Sequence, residues 1–367
     1  MVYEITGSGA LLGAVMGARA IPMVLLTPVS GVAADRYDRR RLLQASQGLA
    51  AAVSLAFGAA LALDIVSTWM LFAFTMLMGA SNVMDRPARF TTAFELVPRE
   101  LAVKAVALNT IGFSIARIIG PAAAGYLLAA FGGAGSFFLQ GLLYAASAVL
   151  VLMVAFPART QRAERSAFGD MVEGLRFAAA DPRTRVLLLV GAVPFFLLIP
   201  VFGTLYPIYA KDEFAAGPAG LGLLLTAVGI GGTLGGFIAN VLGRAERQGF
   251  IQAACIVVMA AAIVGVALSP SLPLAIAFSV IGGAAEMAHA SSNMAMLQIG
   301  APEAMRGRIS SLLMLNPAFI SLGALVAGPL ADALGARGAS LALAGTAMLA
   351  TAVLYLSSPV LRTLRHK

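Results

Sequence analysis

The chain has 367 residues, of which 60% are hydrophobic and 11% charged, and its mean hydropathy is +0.90. So little polar surface cannot cover that much apolar mass in water, so a soluble globular domain is excluded and lipid is the solvent. The net charge of +8 calls for no nucleic acid, because basic loops facing anionic lipid account for it and no basic stretch is interleaved with stacking aromatics.

Apolar runs of about 20 residues, the helical length that crosses a bilayer, occur at 10–34, 42–63, 66–84, 105–130, 136–156, 186–208, 219–243, 250–268, 273–299, 309–331 and 339–358. They predict eleven transmembrane helices in an all-α membrane protein. Between the first two lies Gly31-Val-Ala-Ala-Asp35-Arg36-Tyr37-Asp38-Arg39-Arg40-Arg41, with six charges. Lys and Arg in short loops stay on the cytoplasmic side. Of the 25 here, 21 fall in loops on one side and only Lys211 and Arg337 on the other, with Arg19 and Arg117 inside spans. This bias predicts a bacterial-type inner-membrane protein with a cytoplasmic C-terminus and Met1 on the outer side.

The longest polar interval separates five spans from six, which predicts an N-terminal half at 1–156, a cytoplasmic linker at 157–185 and a C-terminal half at 186–367. Within the linker Phe168, Met171, Val172, Leu175 and Phe177 or Ala178 recur at helical spacing while Asp170, Glu173 and Arg176 point elsewhere. That is the pattern of an amphipathic helix lying on the membrane surface. The lone Cys255, in an apolar run, rules out a disulfide within the chain and reads as a core side chain.

Sliding the halves against each other exposes a repeat. At an offset of 204, Phe74-Thr-Met-Leu-Met-Gly79-Ala80 falls on Phe278-Ser-Val-Ile-Gly-Gly283-Ala284. At 203, Gly120, Gly125, Gly132 and Gly135 fall on Gly323, Gly328, Gly335 and Gly338, and at 209 Ala10, Leu12 and Gly13 fall on Ala219, Leu221 and Gly222. Duplicated helical halves are a transporter architecture, with the substrate held between them near the bilayer midplane. The span 186–208 lacks a counterpart in the first half, so a first helix before Met1 is expected to be missing, with residues 2–9 as the loop that followed it.

With these motifs in place, the chain resembles the major facilitator superfamily, and within it the efflux group typified by the enterobactin exporter. Gly31, Asp35, Arg36, Arg39 and Arg40 are similar to the signature between the second and third helices, with Asp38 where that pattern has a second Gly. Asp85-Arg86-Pro87-Ala88-Arg89, Glu95-Leu-Val-Pro-Arg-Glu100, Ala107-Leu108-Asn109, Ala116-Arg117-Ile-Ile-Gly120-Pro121 and Glu173-Gly174-Leu175-Arg176 are similar to the exporter group. Gly120, Pro121 and Gly125 look like a reduced antiporter signature, in which small residues permit close helix approach and Pro frees a backbone group. The resemblance implies two pseudo-symmetric helical halves working by alternating access.

Ionisable residues inside a membrane are costly and mark function by default. Glu286 and His289 lie one turn apart in the span 273–299, and Asn293 continues their stripe. Arg117 is at a depth that could match Glu286, and Arg19 sits about a third of the way into its span. These residues, with Asn109, form the expected substrate and proton pathway, with Glu286 as the proton or cation site; a static Glu286–Arg117 tie and a packing role for His289 are the structural alternatives. Asp85, Arg86 and Arg89, beside Asp35 and Arg36, are expected to form a cytoplasmic gate of salt bridges, with Arg39 and Arg40 chiefly anchoring the inner face.

Two histidines, His289 and His366, no Cys pair and no phosphate-cradling Gly-Lys-Ser/Thr loop leave no catalytic set. No enzyme, ATP-driven pump, metal or cofactor is expected. The expectation is a monomeric secondary transporter, driven by protons or another cation, that exports a small amphiphilic siderophore, drug or metabolite. A lysophospholipid-type transporter of the same fold and a non-transporting remnant or binding protein are the alternatives.

Overall fold

The computed structural model describes every residue except 1, 37, 155, 157–166, 244, 314 and 365–367; at 28–29, 31–36, 86–87, 90–95, 99, 102–103, 167–168 and 170–171 it describes the backbone alone. Lipid offers the backbone no hydrogen-bond partners, so each apolar run closes its own bonds as a helix. In chain order these are α1 (Val2–Thr6), α2 (Gly9–Ala18), α3 (Ala20–Arg36), α4 (Arg39–Ala62), α5 (Thr68–Glu95), α6 (Ala102–Met153), α7 (Ala167–Ala180), α8 (Pro182–Val193), α9 (Tyr206–Ile208), α10 (Gly217–Leu242), α11 (Gln248–Leu268), α12 (Leu272–Gly300), α13 (Glu303–Leu313), α14 (Asn316–Ser357) and α15 (Pro359–Thr363).

Two of these are too long for one crossing. At 52 residues α6 would run about 78 Å if straight, more than twice a bilayer's ~30 Å core. It breaks at Gly132 (φ 67°), and α14 breaks at Gly335 (φ 71°), a conformation that glycine adopts without a Cβ clash. Among the described residues eight helical stretches are long and apolar enough to cross a membrane, two of them long enough to cross twice. Apart from 155 and 314, which are not described, the eleven predicted spans lie largely on helical chain, which is consistent with eleven crossings.

The chain forms two compact units, Ala18–Ala116 with Leu127–Asp170, and Val2–Gly17 with Arg117–Tyr126 and Met171–Lys367. In the first, Phe57, Phe74 and Phe137 meet with ring centroids 4.8 to 5.1 Å apart and tie α4, α5 and the second part of α6. Asp38, the departure from the signature pattern, caps α4: its carboxylate accepts from the Arg40 amide at 2.8 Å. The second unit packs around Leu205, Tyr206, Tyr209, Met259 and Ile263, each at most 1% exposed.

Between α8 and α10 the chain departs from the plain helix expected for 186–208. It winds through π-helical turns at Pro194–Leu198, Val201–Leu205 and Tyr209–Glu213, with α9 between the last two. Pro194, Pro200 and Pro207 each remove a backbone donor and crowd the preceding turn, and widened turns relieve that crowding. Two buried tyrosines anchor the stretch. Tyr206 shares a hydrogen bond with Ser279 at 2.8 Å, and Tyr209 donates to the Ala336 carbonyl and to Ser340 Oγ at 3.2 and 3.1 Å.

The repeat reappears in the packing of this unit. A Cβ on Gly125 would meet the Pro218 carbonyl and one on Gly222 the Pro121 carbonyl; in the same way Gly328 abuts the Gly9 carbonyl and Gly13 the Ala324 carbonyl. Shifting one contact set by the offsets 203 and 209 generates the other. Each pair lets two helix backbones touch, the usual means of helix association in lipid.

Next to Gly328, Asp332 caps α2 from a distant part of the chain. Its carboxylate accepts from the Gly9 amide at 2.6 Å, the Ala10 amide at 2.9 Å and Ser8 Oγ at 2.9 Å. Beside it Tyr3 donates to Asp212, Lys211 lies 5.1 Å from the Tyr3 ring centroid, and Arg337 pairs with Glu213 at 2.7 Å. Burial, then the hydrogen bond and negative charge of Asp212, push the Tyr3 hydroxyl up to about 12, so it stays a donor at any physiological pH. Losing a helix cap costs about 1 kcal/mol, or roughly fivefold in a local opening equilibrium. Asp332→Ala should therefore speed hydrogen exchange at the Gly9 and Ala10 amides by about that factor; unchanged exchange would show that the cap does not hold α2.

The linker helix is present as α7, and Phe177 and Ala178 of its expected apolar face pack within the same unit. Leu175 is 62% exposed, whereas Gly174 and Ala178 are buried and Phe177 joins the cluster of Leu187, Met296, Leu297 and Ile309. The reason is Gly174, whose missing side chain brings α7 onto the Arg308 backbone while Glu173 pairs with Arg308 at 2.6 Å. The side chains of Phe168, Asp170 and Met171 lie outside the described residues.

Candidate functional site

The second unit holds an ion pair within apolar helices. Arg117 Nη2 donates to Glu286 Oε2 at 2.7 Å, and the two side chains are 23% and 15% exposed. Arg117 reaches Glu286 because α10 presents glycine to it: a Cβ on Gly229 would strike the Arg117 carbonyl, and one on Gly232 would lie 3.0 Å from the guanidinium. Thr226 Oγ1 donates to the Ile118 carbonyl at 2.9 Å and fixes this stretch of α6 on α10. A charge pair so placed is costly to desolvate, and its worth depends on good geometry and on what the site must do.

One turn along α12 the surroundings change. His289 is 2% exposed and lies against the Gln252 backbone, and Asn293 donates to the Leu187 carbonyl at 2.9 Å and to Gln252 Oε1 at 2.8 Å. The stripe Glu286–His289–Asn293 therefore serves two neighbours, α6 at Glu286 and α11 with α8 at Asn293.

In the first unit Asp85 is a second hub. It accepts from Gln47 Nε2 at 2.7 Å, from Ser46 Oγ at 3.4 Å and from Arg89 at 2.8 and 3.1 Å. Asp85 and Arg89 of the expected gate are thus together. Of Gly31, Asp35, Arg36 and Arg86 only the backbone is described.

The profile of the family of transmembrane secretion effectors, a branch of the major facilitator superfamily, matches residues 1–365. The chain belongs to that family. It is a multi-pass membrane transporter, not an enzyme. It is 29% identical over 380 residues to the multidrug efflux pump Tap of Mycolicibacterium fortuitum, covering 99% of this chain and 91% of that protein. It is 24% identical over 331 residues to the staphyloferrin A transporter of Staphylococcus aureus, covering 88% and 81%. A bacterial homologue of the lysosomal transporter Spinster, in an inward-facing and unoccupied conformation, superposes with a TM-score of 0.77 at 16% identity, covering 98% of this chain and 91% of that one; this likeness is one of fold.

Within this major facilitator fold the other expected site residues are scattered. Arg19 packs against Gly79 in the first unit, and Asn109 is exposed on α6. Arg40 donates to the Leu152 carbonyl, in keeping with a structural part at the helix end. Of the helix-packing signature, Gly125 and the Pro121 carbonyl make close contacts on α10, whereas Gly120 has no neighbour within 4 Å of where a Cβ would sit. Gly323, its repeat counterpart, abuts the Phe196 carbonyl and the Pro200 ring. Gln47 and Gln252 escaped the sequence reading, since one amide in an apolar helix has no spacing partner; their signal was the repeat itself, at an offset of 205.

Proposed function

We propose that this transporter is a secondary exporter that moves a small amphiphilic compound, a drug or a siderophore, outward in exchange for protons. The observation that carries the reading is the Arg117–Glu286 pair, an exchangeable carboxylate held against a fixed cation within the membrane. The relatives named for multidrug efflux and for staphyloferrin A support the substrate class. The orientation in this reading, with the C-terminus cytoplasmic and Lys211 and Arg337 outside, rests on the distribution of Lys and Arg.

On the same reading Asp35, Arg36, Asp85, Arg86 and Arg89 form the inner gate. The Asp85–Arg89 pair is the part with supporting geometry. Alternating access needs such contacts to form in one state and break in the other.

The test is expression in a host stripped of its own efflux pumps, challenged with a panel of amphiphilic drugs and siderophores. At least one compound should accumulate less, and a protonophore should restore its accumulation. No change across the panel, or extrusion that survives collapse of the proton gradient, would overturn the reading.

A further inference from the structure

Five buried polar side chains meet where α11 packs on α12, apart from the Arg117–Glu286 pair. Gln248, Gln252, His289, Ser292 and Asn293 are each at most 6% exposed. Most of their groups are satisfied. Ser292 Oγ donates to Gln248 Oε1 at 3.2 Å, and Gln248 Nε2 donates to the Leu242, Gly243 and Ala245 carbonyls at the end of α10. Asn293 Nδ2 must face the Leu187 carbonyl, which can only accept, and the same amide group donates to Gln252 Oε1. That fixes the orientation of both amides. Gln252 Nε2 and the ring nitrogens of His289 are then left without a well-formed hydrogen bond among the described residues, although the imidazole touches the Gln252 backbone.

The first half shows what belongs there. Sliding back by 205 and 204 puts Gln252 on Gln47, His289 on Asp85 and Asn293 on Arg89. In that half the glutamine amide donates to Asp85 Oδ1 at 2.7 Å, and Arg89 closes on the same carboxylate. Exchanging Asp for His takes away the acceptor oxygen but leaves the amide donor. Buried polar groups in native proteins are almost always satisfied, by ordered water where protein atoms do not reach.

We propose that one water molecule completes the second network, accepting from Gln252 Nε2 and donating to the unprotonated nitrogen of His289, where the first half has the Asp85 carboxylate oxygen. The chemistry of the site selects water. A neutral imidazole offers one donor and one acceptor nitrogen; if its N–H serves the Gln252 carbonyl, its lone pair needs a donor while the amide N–H needs an acceptor. A cation would face the amide N–H and an anion the imidazole lone pair. The water joins α11 to α12 through side chains that otherwise miss each other.

One consequence rests on the proton-exchange reading above. The water makes His289 a hydrated proton acceptor one turn from Glu286 on the same helix. The titratable groups around it are Glu286 itself, Arg117 paired to Glu286 from α6, and Cys255, which packs on Ala288 from α11. The water site stands without this consequence.

The chain has two histidines, so His366→Gln leaves His289 as the single imidazole signal. Solid-state NMR of this protein in liposomes, with isotope-labelled histidine, should give a cross-peak from water protons to a His289 ring nitrogen, and Gln252→Leu should abolish it. Absence of the cross-peak in the parent means dry packing and overturns the proposal. Persistence in Gln252→Leu also overturns it, because the water would then be held by something else. If Gln252→Leu does not fold, the parent spectrum still decides. The spectrum is read at rest, so a transport failure of the Glu286 variant leaves this result unaffected.

Discussion

Glu286→Gln is expected to abolish proton-driven efflux in everted membrane vesicles while leaving insertion and expression intact. Glutamine keeps the shape of the side chain and an oxygen that can accept from Arg117, but it cannot release a proton. What it removes is the exchangeable charge. The cost goes further than the lost proton, because Arg117 is then a part-buried cation without its counter-charge; breaking one side of a buried pair costs about 3–5 kcal/mol. That penalty alone could trap the protein in one conformation, so the double variant Arg117→Gln/Glu286→Gln is the discriminating measurement. If the pair is only a tie between α6 and α12, two neutral amides can replace it and transport returns. If Glu286 handles the proton, the double variant regains thermal stability but not proton-driven transport. Recovery of transport in the double variant would sink the proton-site assignment.

Much of the architecture was legible because lipid constrains a sequence so strongly. A spanning helix must be apolar for about 20 residues, and an intramembrane charge stands out against that background, so Arg117 and Glu286 could be matched by depth before any contact was known. The glycines were legible through the repeat. Gly132 and Gly335 lie 203 residues apart and both break a long helix at positive φ. Contacts that the repeat does not duplicate were hidden. Nothing in the sequence ties Tyr3 to Asp212 or Ser8 to Asp332, since a hydrogen bond across more than 200 residues leaves no local pattern. The contact of α7 through Gly174 was hidden because periodicity marks apolar side chains, while that contact is made by an absent one. Pro194, Pro200 and Pro207 lie in or beside a span expected as plain helix, and prolines alone do not say whether a helix kinks, breaks or widens.

The second large effect should come from Gly231→Val. Gly231 abuts the Val280 carbonyl, Gly283 the Val228 carbonyl and Gly235 the Ala284 carbonyl, so α10 and α12 touch backbone to backbone along a stripe of glycine. Helices in lipid gain nothing from hiding apolar surface from each other, so this close approach and its dispersion contacts are what hold the pair. A Cβ at Gly231 would overlap the Val280 carbonyl, and since that carbonyl belongs to a helix backbone the whole helix must move. Overpacking of this kind costs about 1–3 kcal/mol. At roughly 2–4 °C per kcal/mol for a unit of this size, the upper end lowers the thermal midpoint by about 6–12 °C. Helix propensity works the other way, because valine is a better helix former than glycine, so a loss of stability must come from the clash. Gly236→Val provides the control. It lies on the same helix, with no atom within 4 Å of where its Cβ would stand, and should leave the midpoint unchanged or slightly raised. Thermal unfolding of the two variants in detergent decides the matter: equal midpoints would mean that the α10–α12 contact is looser than backbone against backbone.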